Sequence, residues 1–224
     1  MSQVDIANMA LSNLGIALGI QSFNDKTAEA KACAFWYPIA RNQLLRSAPW
    51  NFAYGYQVLA SDASNVPGTV MAAPGWSYAY QYPNDCVQAI AVSTVYGTRL
   101  KRYYWGCYWG YPYGSAWSGI QKIPYIIGPS TTDEAQKAIF TDLGSPAYLW
   151  YIRCVTDTSL YDPMFSDGLS WLLAAKIAGP LRAAADKVQL GNQMARGACA
   201  AALAQCMNEC QQDPAPDSPS ITCR

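Results

Sequence analysis

Apolar residues recur at helical spacing at both ends of this chain and alternate, or run together, in its middle. Near the start, Ile6, Ala10 and Leu14 fall on one helical face. Ser2 with Asp5 three residues on forms a capping box in which Asp replaces the usual Glu, and Gly15 is a natural stop. A loop through Ile20 and Phe23 leads to a second helix, expected over residues 27–48 and capped by Asp25 or Thr27. Cys33, Tyr37, Ala40 and Leu44 make its stripe. Pro38 lies inside that pattern and predicts a kink, and Pro49 predicts the end.

From Trp50 the period changes. Residues 51–60 (NFAYGYQVLA) read as a strand, followed by Gly75–Tyr82 and Val87–Tyr96. Gly97-Thr98 marks a turn, with Arg99–Tyr104 as a returning hairpin strand. Pro124–Ile127, Ala138–Thr141 and Ala147–Val155 read as further strands, and TDLGSPAY between the last two is turn chemistry. Asp162-Pro163 then restarts helix, with Asp at the cap and Pro at the first helical position. Phe165, Leu169, Leu172 and Leu173 line one face, and Gly179-Pro180 ends or kinks that helix. A fourth helix is expected from near Asp186 to about Gln212, with Cys199, Leu203, Cys206 and Cys210 on one side. Ala198, Ala201, Ala202 and Ala204 allow close approach to a neighbour. Gly191 and Gly197 each cost about 1 kcal/mol against Ala, which implies packing against something outside the helix. The last segment, DPAPDSPSITCR, is too rich in Pro and Ser to build a core.

Each apolar stripe must be buried against another element. The expected fold is therefore α+β. N- and C-terminal helix pairs (residues 1–49 plus 160–212) form a four-helix bundle, with an antiparallel β-rich domain (50–159) inserted and a flexible C-terminal tail (213–224).

Composition narrows the functions. The 224 residues are 51% hydrophobic, enough for a real core, while charged residues are only 13%, about half the usual share. Fifteen basic and fifteen acidic residues cancel, whereas a protein that grips nucleic acid normally carries a basic excess. A neutral, weakly charged chain tends to self-associate. The start has no basic segment followed by an apolar one, and no stretch is long and apolar enough to span a membrane, so a soluble, cytoplasmically made protein is expected.

No histidine is present. That removes the commonest general base and the commonest transition-metal ligand, and with them the usual serine, cysteine and zinc hydrolases. The eight cysteines are scattered without a C-x-x-C pair and read as reduced, buried thiols, with Cys33 and Cys154 in apolar runs. G-x-G-x-x-G and the P-loop are absent, and no two carboxylates share a setting that would split acid from base roles. No catalytic residue, cofactor site or metal site is assigned, and the chain is read as a non-enzyme.

Residues 103–117, YYWGCYWGYPYGSAW, crowd aromatics into a glycine-broken stretch. Tyr104, Trp105, Tyr108, Trp109, Tyr111, Tyr113 and Trp117 are candidate interface anchors, because Trp and Tyr dominate binding hot spots. The alternatives are a loop folded over its own sheet, or a carbohydrate- or receptor-binding module that stacks these rings on its ligand.

Four segments in order resemble the tail tubular protein A family, the head-to-tail adaptors of short-tailed bacteriophages. They are IANMALSNLG, the tract from Cys33 to Ala53 ending in LLRSAPWNFA, Trp76–Cys86, and YIRCVTDTSLYDPMF from Tyr151 to Phe165. The resemblance covers roughly residues 3–210. It implies a structural virion protein of the tail or neck, assembled in the host cytoplasm as a dodecameric ring. Its partners would be the portal protein and the tail nozzle or tube protein. DNA would pass through the lumen without sequence-specific binding, and no membrane is involved. Arg41, Arg46, Pro49 and Trp50 match the family pattern, and the resemblance implies that they fix the helix-to-strand junction. Asp162 and Pro163 would return the chain to the bundle, and the tail would be a docking arm for the portal.

Overall fold

The computed structural model describes residues 1–48, 50–60, 75–94, 123–130 and 136–208, with the backbone alone for 185, 203 and 205–208. Pro49, the expected strand over 99–104, the aromatic stretch 103–117 and the tail 213–224 lie outside the described residues. The protein is α+β, with antiparallel sheets between helical ends.

Helix α1 spans Gln3–Asn13. The Ser2 hydroxyl accepts from the Asp5 N–H (3.1 Å), and the Asp5 carboxylate accepts from the Ser2 N–H (2.7 Å), which closes the expected capping box. Gly15 follows at φ 81°, where glycine carries no steric penalty. Helix α2 spans Ala28–Ser47, capped by Thr27, and runs through Pro38 without interruption. Its expected stripe of Cys33, Tyr37, Ala40 and Leu44 is buried. Helix α3, Pro163–Ile177, starts where Asp162 accepts from the Met164 N–H (2.7 Å) and Pro163 takes the first helical position. Helix α4 spans Ala185–Asn208.

Helix α3 is buried on nearly every side: Phe165, Ser166, Leu169, Ser170, Leu172, Leu173, Ala174 and Ile177 are all covered. The sequence suggested one apolar face. The difference is that α1, α2 and α4 all pack on this helix, so it needs more than one stripe. Its buried Ser170 is satisfied, donating to the Asp167 carbonyl within the helix (2.7 Å) and accepting from Asn13 on α1 (3.2 Å). Gly191 of α4 sets the α3–α4 approach. A Cβ there would lie 3.0 Å from the Ala175 Cβ and 3.1 Å from the Trp171 carbonyl oxygen.

The strands are β1 (Tyr54–Val58), β2 (Tyr78–Gln81), β3 (Cys86–Ser93), β4 (Tyr125–Pro129), β5 (Lys137–Thr141) and β6 (Tyr148–Arg153). They form two antiparallel sheets, ordered β1-β6-β3 and β2-β5-β4. Residues 51–53 are a single 3-10 turn rather than the start of a strand, because the Ala53 N–H bonds back to the Trp50 carbonyl (3.0 Å). The extended chain begins only at Tyr54.

Strand β6 reads YLWYIR, apolar from Tyr148 to Ile152 before the exposed Arg153, and it is central and buried on both faces. Leu149 and Tyr151 join Leu59, Tyr80 and Ile139 in the core between the two sheets. Ile152, on the opposite face by strand alternation, belongs to the helical core with Trp50, Leu173 and Ile177. The first sheet is thus a middle layer, with helices on one side and the second sheet on the other. Gly55 lies opposite Tyr151, and a Cβ on it would come within 2.9 Å of that ring.

Candidate functional site

Two kinds of site emerge, a polar-aromatic junction and a set of exposed apolar faces. At the junction, Trp50 is fully buried, and its indole N–H donates to the Leu44 carbonyl at 2.9 Å. The Ser47 hydroxyl donates to the same carbonyl (2.7 Å), so the end of α2 is capped twice. The Trp50 ring meets Phe165 edge-on at 4.9 Å, and Phe52 and Tyr161 complete a four-ring cluster. These rings tie the end of α2, the approach to β1 and the start of α3 together. Asp162 and Pro163 sit beside that cluster as the N-terminus of α3. Arg46 is exposed in the last turn of α2, where a cation complements the helix dipole, and its charge reaches the Tyr82 hydroxyl.

Arg41 behaves differently. It is 9% exposed, with Nε 3.1 Å from Asn42 Oδ1 and Nη2 3.3 Å from Cys154 Sγ. Cys154 in turn donates to Asn42 Oδ1 (3.4 Å). The expectation that Cys154 sits in an apolar run is therefore corrected: just past β6 the chain turns its side chain to the guanidinium at a half-exposed position. Next to this group the Tyr37 hydroxyl is buried without a hydrogen bond of good geometry. Burial pushes its ionisation well above the ordinary tyrosine value, followed by the influence of Tyr161, while the Arg41 charge opposes the shift. The Tyr161 hydroxyl is committed to the Val155 carbonyl at 2.8 Å.

Of the remaining described thiols Cys33 is buried and Cys86 and Cys199 are half-buried. Desolvation pushes Cys33, Cys86 and Cys199 each up to about 11, and all are free. Among the described residues no three His, Cys, Asp or Glu side chains come together as a metal-binding set. No described helix is long and apolar enough to cross a membrane.

The exposed apolar faces were not anticipated. On α2, Phe35 is 63% exposed and Ile39 41%, and Phe35 meets Trp36 edge-on at 5.1 Å. On α4, Leu190 and Met194 are 41% and 42% exposed. Each pair is spaced i, i+4 beside the buried stripe of its helix, and that offset is the sequence signal that marks them. Both helices pack on α3, and neither packs substantially on the other, so the two faces are separate. Ile126 and Ile127 are both exposed on β4, an edge strand of the second sheet.

A cleft of about 360 Å³ opens between the sheets, lined by Gln57, Gln81, Asn84, Gln136, Tyr82 and Pro83 among others. Its described lining carries no charged side chain. The seven aromatic anchors expected between 104 and 117 lie outside the described residues, so they take no part in this geometry.

No protein-family model matches this chain, and no curated protein matches it.

Proposed function

We propose that this chain is a structural virion protein, a head-to-tail adaptor whose copies form a ring between the portal and the tail nozzle or tube. The ring would extend the DNA channel of a short-tailed phage, in keeping with the sequence resemblance. In this reading the four helices act as one bundle around α3 on the portal side, and the sheets face the tail. The role is structural and calls for no catalytic centre.

The observation that best supports it is the pair of unlike apolar faces, Phe35 and Ile39 on α2 and Leu190 and Met194 on α4. A head-to-tail contact between identical subunits needs two different, complementary surfaces, and such contacts close into rings when the rotation fits. Exposed large apolar groups carrying no charge are what an obligate interface covers.

Negative-stain microscopy and mass measurement of the pure chain, alone and mixed with its portal, test this. Rings are expected in at least one condition. Phe35→Asp and Met194→Asp each spoil one face, so neither variant alone closes a ring. An equal mixture of the two stops at dimers, because each partner contributes one intact face. A chain that stays monomeric in both conditions, or variants that form rings as wild type does, would refute the proposal.

The cleft favours a second reading, a carbohydrate-binding module. Primary amides beside an aromatic ring are the groups that recognise neutral sugars. That protein would be monomeric, would bind glycans, and would lose binding in Gln81→Ala.

A further inference from the structure

We propose that α2 of one copy lies beside α4 of the next copy in the ring, parallel to it and in a single register set by Lys31 and Asp186. This pairing rests on the ring reading and adds to it a direction, a register and two charged residues. The exposed faces of the two helices carry the same spacing. On α2 the solvent face bears Lys31, Phe35 and Ile39 at i, i+4 and i+8, and on α4 it bears Asp186, Leu190 and Met194 at the same steps. Laid side by side in the same direction, the two series put Phe35 against Leu190, Ile39 against Met194, and a cation against an anion. Three residues further on, Asn42 meets Gly197, where there is no side chain to displace. Run in opposite directions, the apolar pairs still meet, but Lys31 then reaches the level of Ala198, within a turn of the exposed cation Arg196. Opposite charges fix direction and register where apolar contacts alone do not.

The packing around α3 sets the two faces up for this pairing. Trp50, just past the end of α2, meets Phe165 near the start of α3 at 4.9 Å, while Lys176, near the end of α3, lies 5.5 Å from the Trp36 ring on α2. Helix α2 therefore runs antiparallel to α3. Gly168, early in α3, faces Ala195, Ala198 and Cys199, whereas Gly191, early in α4, faces Trp171 and Ala175. Helix α4 is antiparallel to α3 as well, and two helices that each oppose a third run parallel to one another. The later turns of α3 lie opposite both Trp36 and Gly191, so the Phe35 and Ile39 pair stands level with the Leu190 and Met194 pair to within about one turn, about 5 Å. Rotation about an axis along the bundle preserves direction and level. It carries α2 of one copy to α4 of the next with no climb between subunits, which is the condition for a closed ring rather than an open filament.

A charge-reversal cycle tests the pairing. The readout is the protein concentration at which half of the chain is in rings, measured by sedimentation on the full chain, alone or with portal, whichever assembles. Lys31→Glu and Asp186→Lys are each expected to raise that concentration about fivefold. The defect should shrink in high salt, which screens the repulsion. The double variant, Lys31→Glu with Asp186→Lys, should return to within about twofold of wild type, because the pair is restored with its signs exchanged. In a Phe35→Asp background, which does not close rings, thermal melting of the same charge variants should show independent effects, since the pair lies between copies. Should Asp186→Lys not fold, Lys31→Gln and Asp186→Asn complete the cycle, the second neutral change costing nothing further once the first is made. Rings whose charge effects simply add, or coupling already present in the Phe35→Asp background, overturn this pairing and leave the ring reading standing. A wild type that forms no ring in either condition overturns both.

Discussion

Replacing two glycines of the same helix should move stability in opposite directions. Removing a helical glycine gains about 0.8–1 kcal/mol of helix propensity at either position. At Gly197 no described atom lies within 4 Å of the added Cβ, and the position is exposed, so Gly197→Ala should keep the whole gain. At Gly191 the new methyl would sit 3.0 Å from the Ala175 Cβ, 3.1 Å from the Trp171 oxygen and 3.3 Å from the Ala175 nitrogen. Two of those atoms are backbone of α3, so relief requires the helices to separate. Such overpacking costs about 1–3 kcal/mol, which leaves Gly191→Ala destabilised by about 1 kcal/mol. The two variants should then differ by about 2 kcal/mol, each shifting the melting temperature by about 2–4 °C in opposite directions. Thermal unfolding followed by helical circular dichroism reads both shifts. Equal stabilisation by the two alanines would show that Gly191 does not set the α3–α4 distance. Gly197 also falls on the helical face of Leu190 and Met194. In the ring proposed above, its alanine variant would weaken assembly while stabilising the free chain.

Other outcomes follow from the junction and the thiols. Trp50→Phe removes the indole bond to the Leu44 carbonyl and part of a fully buried side chain, and should cost about 1–2 kcal/mol in urea unfolding. An unchanged midpoint would show that Ser47 caps the helix alone. Asp162→Ala loses the cap of α3 and should cost about 1 kcal/mol by the same measurement, an unchanged midpoint telling against the cap. Cys33, Cys86 and Cys199 are held protonated in the fold up to about 11, against 9.0 for an ordinary thiol. The unfolded chain therefore releases these protons first, and stability that is complete below about pH 9 should fall as pH climbs toward about 11. A urea midpoint that stays flat across that window would contradict the burial of these thiols.

Helix positions were legible because their signals are local. The capping box at Ser2 and Asp5, the stop at Gly15 and the Asp162-Pro163 start are all completed within a few residues, and all appear in the fold. The expected packing of Gly191 against something outside its helix also holds, with α3 as that neighbour, whereas Gly197 meets nothing among the described residues. Strand pairing was less legible. β6 pairs with β1 and β3, both distant in sequence, and no periodicity names a partner across that distance. The turn at 51–53 was missed because Asn51, Phe52 and Ala53 fit a strand pattern, while the seating of the Trp50 indole is a tertiary effect. Arg41 was placed at the junction by resemblance, but its burial was not foreseen, since long charged side chains are ordinarily exposed. Tyr37 was read as core and is buried as expected.

The short segment from Cys154 to Phe165 ties the helices to the first sheet. Cys154 meets Arg41 on α2, Thr156 accepts from Gln3 on α1, and Thr158 donates to the Met1 carbonyl. Tyr161 and Phe165 then close the aromatic cluster over Trp50 and Phe52. Ile152 and Val155 belong to the same buried cluster as the helices, and Tyr54, Val87 and Ile90 pack against it. A displacement of the first sheet therefore cannot be absorbed in a linker, because its exit strand is clamped to α1, α2 and α3 within a dozen residues. Close packing of this kind transmits strain rather than dissipating it. In a ring whose helical side meets one partner and whose sheets meet another, that clamp would make each subunit a stiff spacer rather than a hinge.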